Sequence, residues 1–493
     1  MRGRAIYLIT LLICSLSFAR LAAAQTSPAT SITPADPLHR TQSAETCSND
    51  ASSSCAAAAA KILPLVMGPS PMEENLRRLT DEIGGRVSGT PQMAHAIQWG
   101  VAAFRAAGVE VHTEKYQLPL SWSEGDTRLE LLGDIKFPLR TVSLGWSPAT
   151  PPGGIEANVV DVGYGTPEDF DSAGARIKGA LLLVHTNLGS TWADLDAEYS
   201  RPPDIIERAL SGGAAAILWE SARERLLLYR HTNTGDGQLE LMPQAIVARE
   251  DALRLSRTVL AYPGKIRARF SMPNKIGPPV EQENVVAEIR GYEKPDEAVI
   301  LGAHLDSWDL GTGATDNGTG SMAVLAAARA LQKSGLKPKR TIRFVLFTGE
   351  EQGLNGSRAY VKQHKDELAK ISGMLVHDTG TGKVLTIGLM GNYGARETVD
   401  RVVYPLAELA GIMEPSMRSE GGSDHVPFDE AGVPGFWCVQ DEADYDKTHH
   451  SQADTLDRVR WDDLTQGAEV LAVFGYNTAQ LGELLPRKAV GKK

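Results

Sequence analysis

The sequence predicts an α/β protein: a mainly parallel mixed sheet with helices on both faces, carrying an inserted β-rich domain. Two observations lead there. From residue 284 onward, short apolar runs alternate with amphipathic stretches. Between residues 126 and 279 that rhythm gives way to strand-like runs joined by turns containing Gly and Pro. Repeated strand–helix alternation implies strands buried on both faces of a parallel sheet, with ligands bound beyond their carboxyl ends.

In the later part, runs 285–289, 298–303, 341–347, 374–376 and 433–439 read as buried strands, and 321–332, 357–371 and 398–409 as helices. The block 126–279 offers strands at 157–162, 177–185, 214–219, 244–248 and 265–272, with one clear helical stretch at 205–210. It holds no cluster of His and carboxylates, so it reads as a separate, non-catalytic domain. Ahead of it, Leu76, Leu79 and Ile83 share a helical face, as do Ile97, Val101 and Phe104. Residues 61–125 therefore read as the first part of the domain that resumes over 280–485. Residues 25–60, rich in Ala, Ser, Thr and Pro, read as a flexible leader.

Residues 1–24 have the pattern of a signal peptide: Arg2 and Arg4, an apolar stretch over 6–19, then Ala22-Ala23-Ala24. The stretch is too short to span a bilayer as a relaxed helix. Export to a periplasmic or extracellular compartment is the expectation, without stable membrane insertion. In such a compartment Cys47 and Cys55 could pair, whereas Cys438, in an apolar run, reads as a buried thiol. The 493 residues are 42% hydrophobic, 23% charged and 6% aromatic, as in ordinary globular proteins, and the formal net charge of −11 argues against nucleic acid or anionic membranes as partners.

The chemistry is concentrated after residue 300. His304 and Asp306 follow the run 298–303, and Asp316 lies in the Gly-rich loop beyond them. Glu350 and Glu351 follow 341–347, Asp378 follows 374–376, and His449-His450 follow the last strand. Each candidate thus falls at the carboxyl end of a predicted strand, where the fold gathers ligands. Imidazole and carboxylate donors suit zinc, with manganese or cobalt as substitutes. His304, Asp316, Glu351, Asp378 and His450 are too many ligands for one catalytic zinc. They suit two ions, roughly 3.5–4 Å apart, sharing a bridging carboxylate. The Glu350-Glu351 pair offers one residue to bind metal and one to move protons. Taken singly, each of these residues could be an ordinary helix cap or solvated loop residue, but a chain with 11 His does not assemble this set by chance.

The motifs Gly302-Ala303-His304-Leu305-Asp306-Ser307, Asp316-Asn317-Gly318, Thr348-Gly349-Glu350-Glu351-Gln352-Gly353, Ser423-Asp424-His425 and His450-Ser451-Gln452-Ala453-Asp454-Thr455 resemble those of the dizinc exopeptidase family of bacterial leucyl aminopeptidases and plasma glutamate carboxypeptidase. His304-Leu305-Asp306-Ser307-Trp308-Asp309 and Pro338-Lys339-Arg340-Thr341 look most like the carboxypeptidase Q branch, and 126–279 resembles a protease-associated domain. The resemblance implies a zinc-exopeptidase fold and two zinc ions bridged by Asp316. His304 and Asp378 would complete one site, and Glu351 and His450 the other. Glu350 would be the general base, and the Asp306 carboxylate would hold the His304 ring. Short peptides are the implied substrates, and a homodimer stays open. Relatives often carry a Tyr three residues before the Ser-Asp-His segment, where this chain has Glu420. Aminopeptidase and dipeptidase or carboxypeptidase action therefore both remain open. Two other classes are a single-zinc glutaminyl cyclase-like acyltransferase, which does not need His304 and Asp378, and a non-catalytic receptor-like relative, which lacks the ligand set.

Overall fold

The computed structural model describes residues 55–488. The expected signal peptide, the leader up to residue 54, and Cys47 lie outside the described residues. Residues 55–60, expected in the leader, instead open the helix Cys55–Met67. Its alanine run is strongly helix-forming, and Ala58, Ala59, Ile62, Leu63 and Val66 are buried. They join the same apolar core as the helices Thr319–Ser334 and Trp461–Ala479. Cys55 is disulfide-bonded and Cys438 is a buried free thiol.

A seven-stranded sheet organises this core. Its strands, in chain order, are β1 (Glu110–Leu118), β2 (Val280–Ile289), β3 (Lys294–His304), β4 (Arg340–Phe347), β5 (Ile371–Val376), β6 (Val384–Gly388) and β7 (Gly435–Gln440). Their spatial order is β1-β2-β4-β3-β5-β7-β6. The neighbours β4, β3, β5 and β7 run parallel, while β1, β2 and β6 add antiparallel pairings. Helices cover both faces: Thr319–Ser334 and Trp461–Ala479 pack on one, and Asn355–Gln363, through Tyr360, on the other. The predicted fold class therefore holds. The helix expected over 357–371 stops at Gln363, and Ile371 already belongs to β5. The helix expected over 398–409 is broken at Pro405 into Arg396–Val403 and Pro405–Leu409.

A second, eight-stranded sheet is built by segments between Arg128 and Ser271. Four of its strands, Ile155–Asp161, Leu181–Val184, Ala216–Glu220 and Gln244–Val247, are parallel neighbours. The segment holds more helix than its sequence suggested: Pro167–Ala173, Trp192–Ser200, Pro202–Ser211 and Arg249–Ala261. The last of these buries Ala252, Leu255 and Val259, a helical spacing that strand-like neighbours obscured. Contact with the first sheet runs through Trp122, Trp146 and Trp308. Alongside them buried Arg230 pairs with Glu124 and with Asp309, which follows β3.

Candidate metal centre

Parallel strands end on the same side, so β3, β4, β5 and β7 deliver their following residues to one crevice. His304 is the last residue of β3. Glu350 and Glu351 begin the turn after β4, and Asp378 lies two residues past β5. His449 and His450 follow the short helix Tyr445–Thr448 beyond β7. Asp316 sits between β3 and the helix Thr319–Ser334.

Asp316 occupies the middle of the group. Its Oδ1 lies 3.2 Å from His304 Nε2 and its Oδ2 lies 3.3 Å from His450 Nε2. On one side His304 Nε2 also meets Asp378 Oδ1 at 3.0 Å, and on the other His450 Nε2 meets Glu351 Oε2 at 2.9 Å. Glu350 stands further back, its Oε2 3.9 Å from His304 Nε2. These six residues named from the sequence are therefore brought together, and Asp306 lies beside His304.

Asp306 acts through different atoms than expected. The ring of His304 is held by the Asp306 main-chain carbonyl, which accepts from Nδ1 at 3.0 Å, while the carboxylate is 3.7 Å away. That carboxylate instead accepts the main-chain N–H groups of Glu350 and Glu351, each at 3.3 Å. It fixes the turn that presents both glutamates.

Sequence reading assigned no role to several supporting residues. Asp454 accepts from the main-chain N–H of Thr315 at 2.6 Å and of Asp316 at 3.2 Å, orienting the central carboxylate. Its place in the motif ending Asp454-Thr455 was the available signal. Ser423 Oγ donates to Asp378. Arg86, fully buried, donates to the carbonyls of Leu305, Thr312 and Gly313 and so clamps the loop between His304 and Asp316. Gly313 is required there: its φ is +65°, and a Cβ would meet Ser307 Oγ at 2.3 Å. Burial lowers the Arg86 pKa to about 10, opposed by Asp454 and Asp306.

The second sheet also reaches the centre. Tyr199 OH lies 3.2 Å from His450 Nδ1. Arg230 N–H donates to the His450 carbonyl at 3.0 Å, Leu228 N–H to Gln452 Oε1 at 2.9 Å, and Tyr229 bridges Ser451. His449 stacks on His450 with centroids 3.7 Å apart and groups with Asp316 and His450 as a further potential donor. In the sequence only the motif beginning at His450 separates these neighbouring imidazoles.

The electrostatics fit a cation. Because His304 Nδ1 donates to a carbonyl, Nε2 is turned toward Asp378 and Asp316, and His450 Nε2 faces Glu351 and the same Asp316. Glu351 Oε1 is buried without a hydrogen-bond partner. Burial opposes charge on His304, yet Asp378 and Glu350 outweigh it and lift its pKa well above the usual imidazole range. Burial pushes Glu350 well above the usual carboxylate range, with Asp378, Glu351 and Asp424 adding to it against His304. Burial likewise raises Glu351 to about 7. Buried carboxylate oxygens around two imidazoles form a donor set that suits zinc.

The centre opens into a cavity of about 810 Å³. The β-strand ends form its floor. Asp196 and Tyr199 from the helix Trp192–Ser200, together with Thr232–Gly235, form one wall, and residues 418–423 also line the cavity. The approach of the two units is close at Gly353, where a Cβ would meet the Gly235 carbonyl at 2.2 Å.

Comparison with known proteins bears on this geometry. Residues 284–475 match peptidase family M28. Carboxypeptidase Q of Mus musculus is 32% identical over 417 residues, spanning 84% of this chain and 87% of that protein. The crystal structure of a peptidase M28 precursor from Shewanella amazonensis SB2B has a TM-score of 0.79 and 28% sequence identity, over 88% of this chain and 99% of that one. A zinc aminopeptidase from Bacillus subtilis shares the fold, with a TM-score of 0.66 at 21% identity over 86% of this chain and 96% of that one.

Proposed function

The chain belongs to peptidase family M28, and from that premise we propose that it is an exopeptidase that hydrolyses short peptides at a centre of two zinc ions, with Glu350 as general base. The observation that carries this reading is the position of Asp316, one oxygen toward His304 and the other toward His450. His304, Asp378 and Asp316 would hold one ion, and Asp316, Glu351 and His450 the other.

Zinc bound there supplies a Lewis acid for the peptide carbonyl and lowers the pKa of water toward ~7. The chain's own residues do the rest. Glu350 accepts a proton from the attacking water and returns it to the departing amine. Asp306 is a positioning residue, holding the main chain of Glu350 so that its carboxyl points at the crevice. The wall from the second sheet limits solvent and substrate length. Export is part of the same reading and rests on the pattern of Arg2, Arg4, the apolar stretch and Ala22-Ala23-Ala24. Sequencing of mature material should begin at Gln25.

Metal analysis tests the centre. Purified protein should carry about two zinc equivalents and lose activity to a chelator. Full activity at one equivalent would overturn the two-ion reading.

A further inference from the structure

His449 and His450 are consecutive, yet their rings stack with centroids 3.7 Å apart. Side chains of neighbouring residues do not ordinarily share a face. Here His450 has a φ of +59°, a left-handed conformation uncommon for a residue with a Cβ, and both rings come to one side.

The histidines of the centre differ at Nδ1. That of His304 meets the Asp306 carbonyl, and that of His450 meets the Tyr199 hydroxyl, whose oxygen can accept. Each can keep its proton on Nδ1 and leave the Nε2 lone pair for a cation. His449 Nδ1 instead meets Arg223 Nη2 at 3.3 Å. A guanidinium only donates, so this Nδ1 accepts and the single ring proton sits on Nε2.

Arg223 is held for that task. It lies three residues past the strand Ala216–Glu220, is buried, and pairs with buried Glu198 of the helix Trp192–Ser200. Its guanidinium carbon packs 4.6 Å from the Tyr229 ring centroid, and Nη2 also donates to the His449 carbonyl at 3.3 Å. With Nδ1 occupied and Nε2 protonated, the His449 ring has no lone pair to offer a metal. Yet a ring nitrogen of His449 lies within 4.8 Å of ligand atoms of Asp316 and His450, and the ring lines the cavity. Nε2–H has no acceptor among the described residues. His425, the other cavity imidazole outside the ligand set, already has Nε2 on the Glu420 carbonyl at 3.0 Å.

We propose that His449 is a catalytic residue that donates its Nε2–H to the carbonyl oxygen of the peptide bond being cleaved, with Arg223 as the positioning residue that fixes this tautomer. The proposal rests on the hydrolytic reading of the centre. As the water oxygen bonds to the carbonyl carbon, the π pair moves onto the carbonyl oxygen, and the growing negative charge accepts the N–H without taking the proton. When the C–N bond breaks, its pair leaves with the nitrogen, which Glu350 protonates, and the carbonyl re-forms. A preorganised donor of this kind strengthens only as charge develops.

Nitrogen NMR of zinc-loaded protein with isotope-labelled histidine reads the tautomer. The His449 signal, identified by its loss in His449→Phe, should show a protonated Nε2 and a bare Nδ1. Replacing Arg223 and Glu198 together by methionine leaves neither charge unpaired and should let the Nδ1–H form appear. An Nδ1–H tautomer in the wild type would overturn the proposal. His449→Phe keeps a stacked ring and should hold its zinc while kcat falls roughly 10²–10³-fold with little change in KM. A dipeptide phosphinate, with its tetrahedral oxygens, should lose affinity by a similar factor while the hydrolysis products bind as before. His449→Gln, whose amide can donate, should recover part of both losses. Zinc loss in His449→Phe, or equal weakening of phosphinate and products, would sink the role. If Glu350→Gln keeps full activity, the hydrolytic centre itself fails. If Glu350→Gln loses activity and His449→Phe does not, only the role of His449 falls.

Discussion

The hydroxyl of Tyr199 lies 3.2 Å from Nδ1 of His450, so a helix of the second sheet orients an imidazole of the first. Ligating histidines need a partner at the second ring nitrogen to fix tautomer and tilt, and losing it typically costs 10–100-fold in metal affinity, about the size expected for Tyr199→Phe. Zinc titration against a competing chelator measures this. Excess zinc should restore much of the lost activity, and an unaltered affinity would mean that His450 needs no such partner.

Glu350 and Glu351 carry the same side chain in different positions. Glu351 Oε2 faces His450 Nε2 at 2.9 Å, whereas Glu350 stands 3.9 Å from His304 Nε2. Glu351→Gln should lose metal and, through that loss, activity. Glu350→Gln should retain both ions while kcat falls by roughly 10²–10⁴ with little change in KM. Metal content measured beside kinetics distinguishes them, and the reverse pattern would exchange the two roles.

Arg86 fills the loop beneath the centre with donors to Leu305, Thr312 and Gly313 carbonyls. Arg86→Met keeps much of the volume but leaves those buried carbonyls unpaired. It should destabilise the fold by about 3 kcal/mol, read from denaturant unfolding. Arg86→Lys should recover only part, since an ammonium cannot reproduce the fork. Wild-type stability in Arg86→Met would show that water satisfies the loop equally well.

Asp161 and Glu220 engage the two ring nitrogens of His185 and lift its pKa from 6.5 to about 9, against burial. The folded protein therefore holds this proton where the unfolded chain releases it. The resulting stabilisation is complete below 6.5 and is lost as pH rises through about 9. Melting temperature should fall by several degrees from pH 7 to 10 in the wild type, and His185→Gln should flatten that slope. Parallel curves for the two proteins would remove His185 from the account.

The centre was legible because its residues sit in short local motifs at the ends of apolar strands: His304 after β3, Glu350 after β4, Asp378 after β5. Asp306 was legible as a residue but not in its chemistry, since carbonyl and carboxylate exchange tasks only in three dimensions. Tyr199, Arg86 and Arg230 escaped detection because their partners lie far along the chain and no local periodicity marks them. The strand β1 was missed for another reason. At the edge of the sheet its polar side chains stay largely exposed, so no apolar run announces it. Residues 55–60 misled through composition, where an alanine-rich stretch resembles a linker until a core is present to receive it.

The turn that bears His450 is moored to the second sheet by the Arg230, Leu228 and Tyr229 contacts, and this gives the chain a timetable. Synthesis runs from the N-terminus, and domains generally fold as their residues emerge. The sheet made by segments from Arg128 to Ser271 is complete in sequence before β3 begins. In chain order the berth precedes the turn after β7, so His450 is the last donor of the crevice to be specified. A variant in which 126–279 is moved behind residue 485 would reverse that order, placing the berth after the turn it moors. Its folding yield would then depend on how long the crevice stays open.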